Sequence, residues 1–195
     1  MKNAFLLVLL VLLGAGTFLY LSGRFTGQTA EDMPSPAVLP AVSLAVGERA
    51  PEFELPDQTG QLHSLEDYRD QWVVLYFYPK DKTPGCTTEA CEFRDNIFAF
   101  RELNAQILGV SMDDVESHRE FAEHHSLPFP LLADVDGDAA DAYGVKTRML
   151  GMTVAKRQTF IISPDGEIAK HYAKVDPDGH SAEVIADLKV LSVTT

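Results

Sequence analysis

Trp72 to Tyr78, WVVLYFY, is an unbroken apolar run rich in β-branched and aromatic residues. Such a run predicts a central strand buried on both faces, because a half-exposed strand would alternate apolar and polar positions. The pattern then changes period. Cys86, Ala90, Phe93, Ile97 and Phe100 recur at helical spacing and predict a helix over residues 84–100 with one apolar stripe. QILGVS at 106–111 reads as a second buried strand, residues 114–126 as a helix, and FPLLAD at 129–134 as a short strand. A short helix over 136–143 ends at Gly144. QTFIIS at 158–163 and IAKHYAK at 168–174 flank Pro164-Asp165-Gly166, a turn between two strands. Residues 180–191 supply a last helix. This order implies an α/β fold, a mixed central sheet flanked by helices in three layers, α/β/α.

The N-terminus breaks the pattern. Residues 4–21, AFLLVLLVLLGAGTFLYL, are uncharged and mostly apolar over 18 positions, just enough to cross a bilayer as a helix. Lys2 precedes them; Arg24 follows, together with Glu31 and Asp32. That weak bias favours the N-terminus inside and the body on the extracytoplasmic (periplasmic) side, membrane-anchored or secreted. The length favours a retained signal anchor over a cleaved signal peptide, for which Gly14-Ala15-Gly16 is a poor cleavage site. Pro34, Pro36 and Pro40 stand among small residues that read as an extended, flexible linker. The division is 1–24 as signal anchor or signal peptide, 25–46 as linker and 47–195 as the globular domain.

Composition removes one class of function. The net charge is −13, and the 16 Lys and Arg are scattered, so the basic face of a nucleic-acid binder is missing. With 46% hydrophobic residues, most of the chain can bury a core.

The only two cysteines, Cys86 and Cys91, lie in TPGCTTEAC. Thr83 is a good N-cap, and Pro84 suits the first helical position because it brings no unmet N–H. Cys86 is then the third helical residue, where free N–H groups and the helix dipole favour a thiolate. The stripe turns Cys86 toward the body and Cys91 to another, more exposed side. Five residues of ideal helix separate their Cα atoms by roughly 8.6 Å, beyond the ~7 Å that a disulfide allows. A bond between them requires the helix start to unwind. An inert bridge, a metal site and a reactive thiol pair are the three readings; the helix-start placement and the spacing favour the last. One Cys pair offers too few zinc ligands, and His118, His124 and His125 read as a solvated face. DVDGD at 134–138 lacks the Gly position and closing Glu of a calcium loop and reads as a turn and N-cap. No metal and no cofactor is expected.

FYPKDKTPGCTTEACEFRD resembles the active-site segment of the peroxiredoxins, specifically the bacterioferritin-comigratory (PrxQ) subfamily, and the similarity spans about residues 46–190. The resemblance implies a thioredoxin-like fold. It assigns Cys86 as the peroxide-attacking thiol and Cys91 as the resolving one. Thr83 is implied to donate or relay a hydrogen bond to the thiolate or peroxide, Pro79 to shield the pocket and Arg157 to stabilise developing charge. Glu89 is implied to buttress the site, though a solvated first-turn acid is an equal reading. The implied activity is reduction of hydrogen peroxide and organic hydroperoxides through a Cys86 sulfenic acid. A Cys86–Cys91 disulfide follows, recycled by thioredoxin or a thioredoxin-like reductant. A monomer is expected, with membrane contact through residues 4–21 if these are retained. Two rivals stand beside this: a membrane-tethered thiol–disulfide oxidoreductase, which normally carries Cys-x-x-Cys, and an extracytoplasmic binding domain with a structural disulfide.

Overall fold

A computed structural model describes residues 44–194. The apolar segment 4–21 and most of the linker lie outside them. Among the described residues no helix is long and apolar enough to cross a membrane.

The described residues open with a small hairpin, β1 (Glu54–Pro56) and β2 (Leu62–Ser64), and a 3-10 turn over Leu65–Tyr68. The body then follows as β3 (Trp72–Phe77), α1 (Pro84–Asp95), α2 (Ile97–Glu102), β4 (Ala105–Ser111), α3 (Val115–His125), β5 (Leu131–Ala133) and α4 (Asp138–Ala142). A second hairpin, β6 (Lys146–Met149) and β7 (Met152–Ala155), precedes β8 (Gln158–Ile162), β9 (Ile168–Tyr172) and α5 (His180–Thr194). The main sheet has five strands in the order β5-β4-β3-β8-β9. β3 pairs in parallel with β4 and antiparallel with β8, so the sheet is mixed as expected.

Every residue of β3 is buried. Its side chains alternate between two apolar clusters, which is why the run has no polar positions. Trp72, Val74 and Tyr76 pack with residues of α1, α3 and α5, among them Ala90, Phe93, Phe121 and Leu188. Val73, Leu75 and Phe77 pack on the opposite side with Leu65, Ala140 and Tyr143. That second layer is thin, built mainly of α4 and the 3-10 turn. Full burial of an aromatic side chain such as Phe93 contributes about 2–3 kcal/mol, and its ring lies 4.9 Å from that of Tyr76 and 5.7 Å from that of Phe100.

The expected helix 84–100 is two helices. Asn96 leaves the helical region at φ −103°, ψ 10°, and its side-chain amide donates to the Glu92 carbonyl and to Ser181 Oγ, both at 3.0 Å. A side chain that competes for a backbone carbonyl interrupts the helix there. The sequence pattern also missed both small hairpins. Leu150 and Gly151 form the β6–β7 turn with φ of 51° and 84°, a two-residue turn normally marked by Asn-Gly or Asp-Gly. The DVDGD segment is the expected turn: Asp134 accepts from the N–H groups of Ala139 and Ala140 at the start of α4.

Candidate active site

The loop between β3 and α1 carries the site, and buried polar groups hold it in place. Asp81 is 5% exposed. Its carboxylate accepts from Tyr78 Oη at 2.8 Å, Ser117 Oγ at 2.8 Å and His118 Nδ1 at 2.9 Å. His118 Nε2 faces the Leu132 carbonyl at 3.2 Å. The Asp81 N–H donates to Asp113, which also accepts from Lys80 and Ser111. Burial opposes the Asp113 charge, but those three donors outweigh it and hold the carboxyl below its ordinary range. These contacts pin residues 80–82 to β4 and α3, and Lys82 is held at φ 62°.

His118 is a correction to the sequence reading. It is fully buried, not part of a solvated face. The signal was present: His118, Phe121 and Ala122 stand at i, i+3 and i+4, the spacing of one helix face, and all three are buried. Asp81 and Asp113 carried no comparable signal, because a charged residue in a loop is ordinarily solvated.

Thr83 occupies the N-cap position of α1 with extended φ −79°, ψ 148°, and Pro84 opens the helix. The Thr83 hydroxyl does not cap it. Its Oγ1 donates instead to the Lys80 carbonyl at 3.0 Å, closing the loop on itself. Cys86, Glu89, Ala90 and Phe93 form the buried face of α1. Cys86 is 1% exposed. Arg157, two residues beyond β7, reaches it across the sheet: Nη2 donates to Cys86 Sγ at 3.2 Å, and Nη1 donates to Glu89 Oε2. Gly85 permits that approach, since a Cβ there would stand 3.3 Å from Arg157 Nη2. Three of the sequence candidates, Cys86, Arg157 and Glu89, therefore meet.

Glu89 is buried, so the solvated reading fails for it. Burial pushes its carboxyl up to about 7, against the pull of the Arg157 charge. Its second oxygen, Oε1, has no hydrogen-bond partner among the described residues, which leaves the ionised form under-solvated. Pro79 is half-buried just past Tyr78.

Cys91 is not part of this cluster. Both cysteines are free, and α1 is continuous through them. Cys91 is half-buried toward α3, where its Sγ lies 3.9 Å from His125 Nδ1. The groups can therefore place a cation and a helix start on a buried sulfur, with a second thiol within a few residues but out of bonding reach. No group of three or more metal-ligating side chains exists among the described residues.

Comparison with known proteins agrees with this chemistry. Residues 46–171 match the AhpC/TSA family. The chain is 43% identical to Peroxiredoxin Bcp of Bacillus subtilis over 155 residues, covering 77% of this chain and 99% of that protein. It is 36% identical over 173 residues to the chloroplastic Peroxiredoxin Q of Oryza sativa subsp. japonica, covering 84% of this chain and 79% of that one. A cysteine-to-serine mutant of PrxQ from Xylella fastidiosa superposes with a TM-score of 0.74 at 34% identity, covering 77% of this chain and 99% of that one. The bacterioferritin comigratory protein of Xanthomonas campestris, studied for its alkyl peroxide reduction activity, gives 0.68 at 37% identity over 72% of this chain and 92% of its own. Its fold is thus thioredoxin-like, and the chain belongs to the AhpC/TSA family as a peroxiredoxin of the bacterioferritin-comigratory, or PrxQ, subfamily.

Proposed function

We propose that this thiol peroxidase works as an atypical two-cysteine peroxiredoxin, with Cys86 attacking the peroxide, Cys91 resolving the product and a thioredoxin-like dithiol recycling it. The observation that carries this is the meeting of Cys86 Sγ with Arg157 Nη2 at 3.2 Å at the start of an intact α1 that also carries a free Cys91.

The Cys86 sulfur anion attacks one oxygen of a hydroperoxide. The O–O bond breaks, an S–O bond forms, and the departing oxygen leaves as water or an alcohol once protonated. Arg157 bears its charge toward the sulfur and toward the oxygen on which negative charge develops. Glu89 holds the guanidinium through Nη1, leaving Nη2 for the reacting atoms. The Thr83 hydroxyl, its proton engaged by Lys80 O, has lone pairs left to accept from the peroxide O–H. Pro79 shields the pocket beside the loop. The Cys86 sulfenic acid is then attacked by the Cys91 thiol as α1 opens, giving the disulfide and water. An external dithiol reduces that disulfide by exchange. Hydrogen peroxide and organic hydroperoxides are the substrates, in keeping with the alkyl peroxide activity of the Xanthomonas campestris relative.

The test is peroxide consumption coupled to a thioredoxin system. Cys86→Ser loses turnover. Cys91→Ser consumes one equivalent of peroxide and then stalls. Full thioredoxin-driven activity in Cys86→Ser overturns the assignment. We propose further that the apolar run of residues 4–21 directs the protein to the extracytoplasmic side, membrane-anchored or secreted; intact mass of the protein from its native host separates a retained anchor from a cleaved leader.

A further inference from the structure

The contact that Cys91 makes in the closed helix has a chemistry of its own. Cys91 and Thr87, four apart on α1, share the helix side that looks toward α3. The last residue of α3 is His125, and its Nδ1 stands 3.9 Å from Cys91 Sγ. Two rings pack on the imidazole and one hydrogen bond holds its backbone. The Phe121 ring meets it edge-on at 5.1 Å, the His124 ring at 4.6 Å, and Arg94 Nη1 donates to the His125 carbonyl at 2.6 Å. The Arg94 guanidinium also lies against the Cys91 sulfur.

We propose that His125 is the proton acceptor for the resolving thiol. This rests on the reading of Cys91 as the resolving residue. The step balances without an added reagent. The Cys91 S–H proton passes to Nδ1 while α1 is closed, and as the helix opens the sulfur electron pair attacks the Cys86 sulfenic sulfur. An S–S bond forms, the S–O bond breaks, and the oxygen leaves as hydroxide and is protonated to water. Cys91 is oxidised and the sulfenic sulfur is reduced. The 3.9 Å separation suits a contact that shortens when the reaction begins.

Charge on the surroundings agrees with this role. Burial, then the neighbouring His124 and Arg94, lower the His125 imidazole from its ordinary value, so it is neutral and able to accept near pH 7. Once it holds the proton, the imidazolium and Arg94 together face the sulfur anion. The imidazole also reaches solvent: it lines a surface cavity of about 470 Å³ with Lys82, Thr87, Glu120 and His124. The proton can leave by that route after α1 opens. The titratable and charged groups around the ring are therefore Cys91 and Arg94 from α1, His124 from α3, and Lys82 and Glu120 across the cavity.

The experiment is stopped-flow oxidation of the reduced full chain by one equivalent of hydrogen peroxide, with acid-quenched samples taken for intact mass. The first phase, Cys86 oxidation, scales with peroxide; the second, disulfide formation, does not. His125→Asn accepts a hydrogen bond but not a proton. It is expected to leave the first phase within about twofold and to slow the second by about a hundredfold, the scale of a lost general base. A species heavier by one oxygen then accumulates, and added imidazole restores part of the rate. The second phase of the wild type should rise with pH and level as His125 becomes neutral; in the variant that plateau is absent. A second phase of wild-type rate and pH profile in a folded His125→Asn overturns the proposal. Should Asn disturb the helix end, His125→Gln gives the same reading. Cys91→Ser separates the two claims: Cys86 is then the sole thiol, and a peroxide-independent second phase that survives there at the wild-type rate removes Cys91 as the resolving residue, whatever His125 does.

Discussion

Replacing Glu89 by Gln tests whether a buried carboxyl is held against its own ionisation beside the Cys86–Arg157 contact. Glu89 is 1% exposed, and its carboxyl is raised from an ordinary 4.5 to about 7. Burial is the cause, with the Arg157 charge opposing it. A raised acid favours the protonated folded state. Its stabilising effect is complete below pH 4.5, where folded and unfolded chains both carry the proton. Between pH 4.5 and 7 the unfolded chain loses that proton first, so stability falls as pH rises and is flat above. Each tenfold in proton concentration is worth about 1.36 kcal/mol, so the fall between about pH 5.5 and 7 is about 2 kcal/mol.

The amide of the Glu89→Gln variant keeps the shape and can accept from Arg157, but it does not titrate. Other titrating groups are shared by both proteins and cancel in the difference. The variant should therefore gain about 2 kcal/mol on wild type between about pH 5.5 and 8, about 4–8 °C in Tm for a domain of this size. Thermal unfolding of the reduced proteins at the two pH values measures it. The gain in stability should accompany a loss in chemistry, because a neutral amide holds the guanidinium less firmly than a carboxylate does. Oxidation of Cys86 at about pH 8 should slow by about five- to tenfold, the loss of ~1–1.4 kcal/mol of charge-assisted hydrogen bonding. A Tm difference between the two proteins that does not change with pH refutes the reasoning.

Two further substitutions probe the site and its frame. Arg157→Met removes the donor to Cys86 Sγ and the partner of Glu89 together; losing one preorganised donor at a developing oxyanion costs about a hundredfold or more. Competition for limiting peroxide reads that rate, and a loss under about fivefold contradicts the role. Gly109→Ala places a Cβ 2.6 Å from Tyr76 Oη and 2.8 Å from Leu131 Cδ2. Overpacking at this depth should cost about 2 kcal/mol in urea unfolding, and an unchanged midpoint would show that Tyr76 moves freely.

The main sheet and its helices were legible because periodicity reports burial directly. β3 carries no polar residue because both of its faces are covered, and α1 reveals its inner face through Cys86, Ala90 and Phe93. The small hairpins were not legible. β6 and β7 turn through Leu150 in a left-handed conformation that its residue type does not announce. The split at Asn96 was hidden for a related reason, since the apolar stripe continues past it while the side chain takes the carbonyl of Glu92. At the site, residue type and spacing pointed to Cys86 and Cys91, and resemblance was needed for Arg157, which arrives from the loop between β7 and β8, 71 residues along the chain from Cys86. Thr83 shows the limit of capping rules: the position is that of an N-cap, but the loop supplies a competing acceptor at Lys80. His118 was misread because a polar residue was assumed solvated although its neighbours on the helix face were apolar. Its partner Asp81 comes from 37 residues away, and no local pattern reports that.

The central claim is that Cys86 and Cys91 bond only when α1 opens. Hydrogen exchange of the amides of residues 87–95, measured by mass spectrometry before and after one equivalent of peroxide, tests it most directly. Non-reducing peptide mapping is run on the same samples. The account predicts a protected helix in the reduced protein from Thr87, whose N–H is the first bonded one, to Asp95; after oxidation, a linked Cys86–Cys91 peptide should appear together with lost protection across residues 87–91. A linked peptide in a helix that keeps its protection would contradict it.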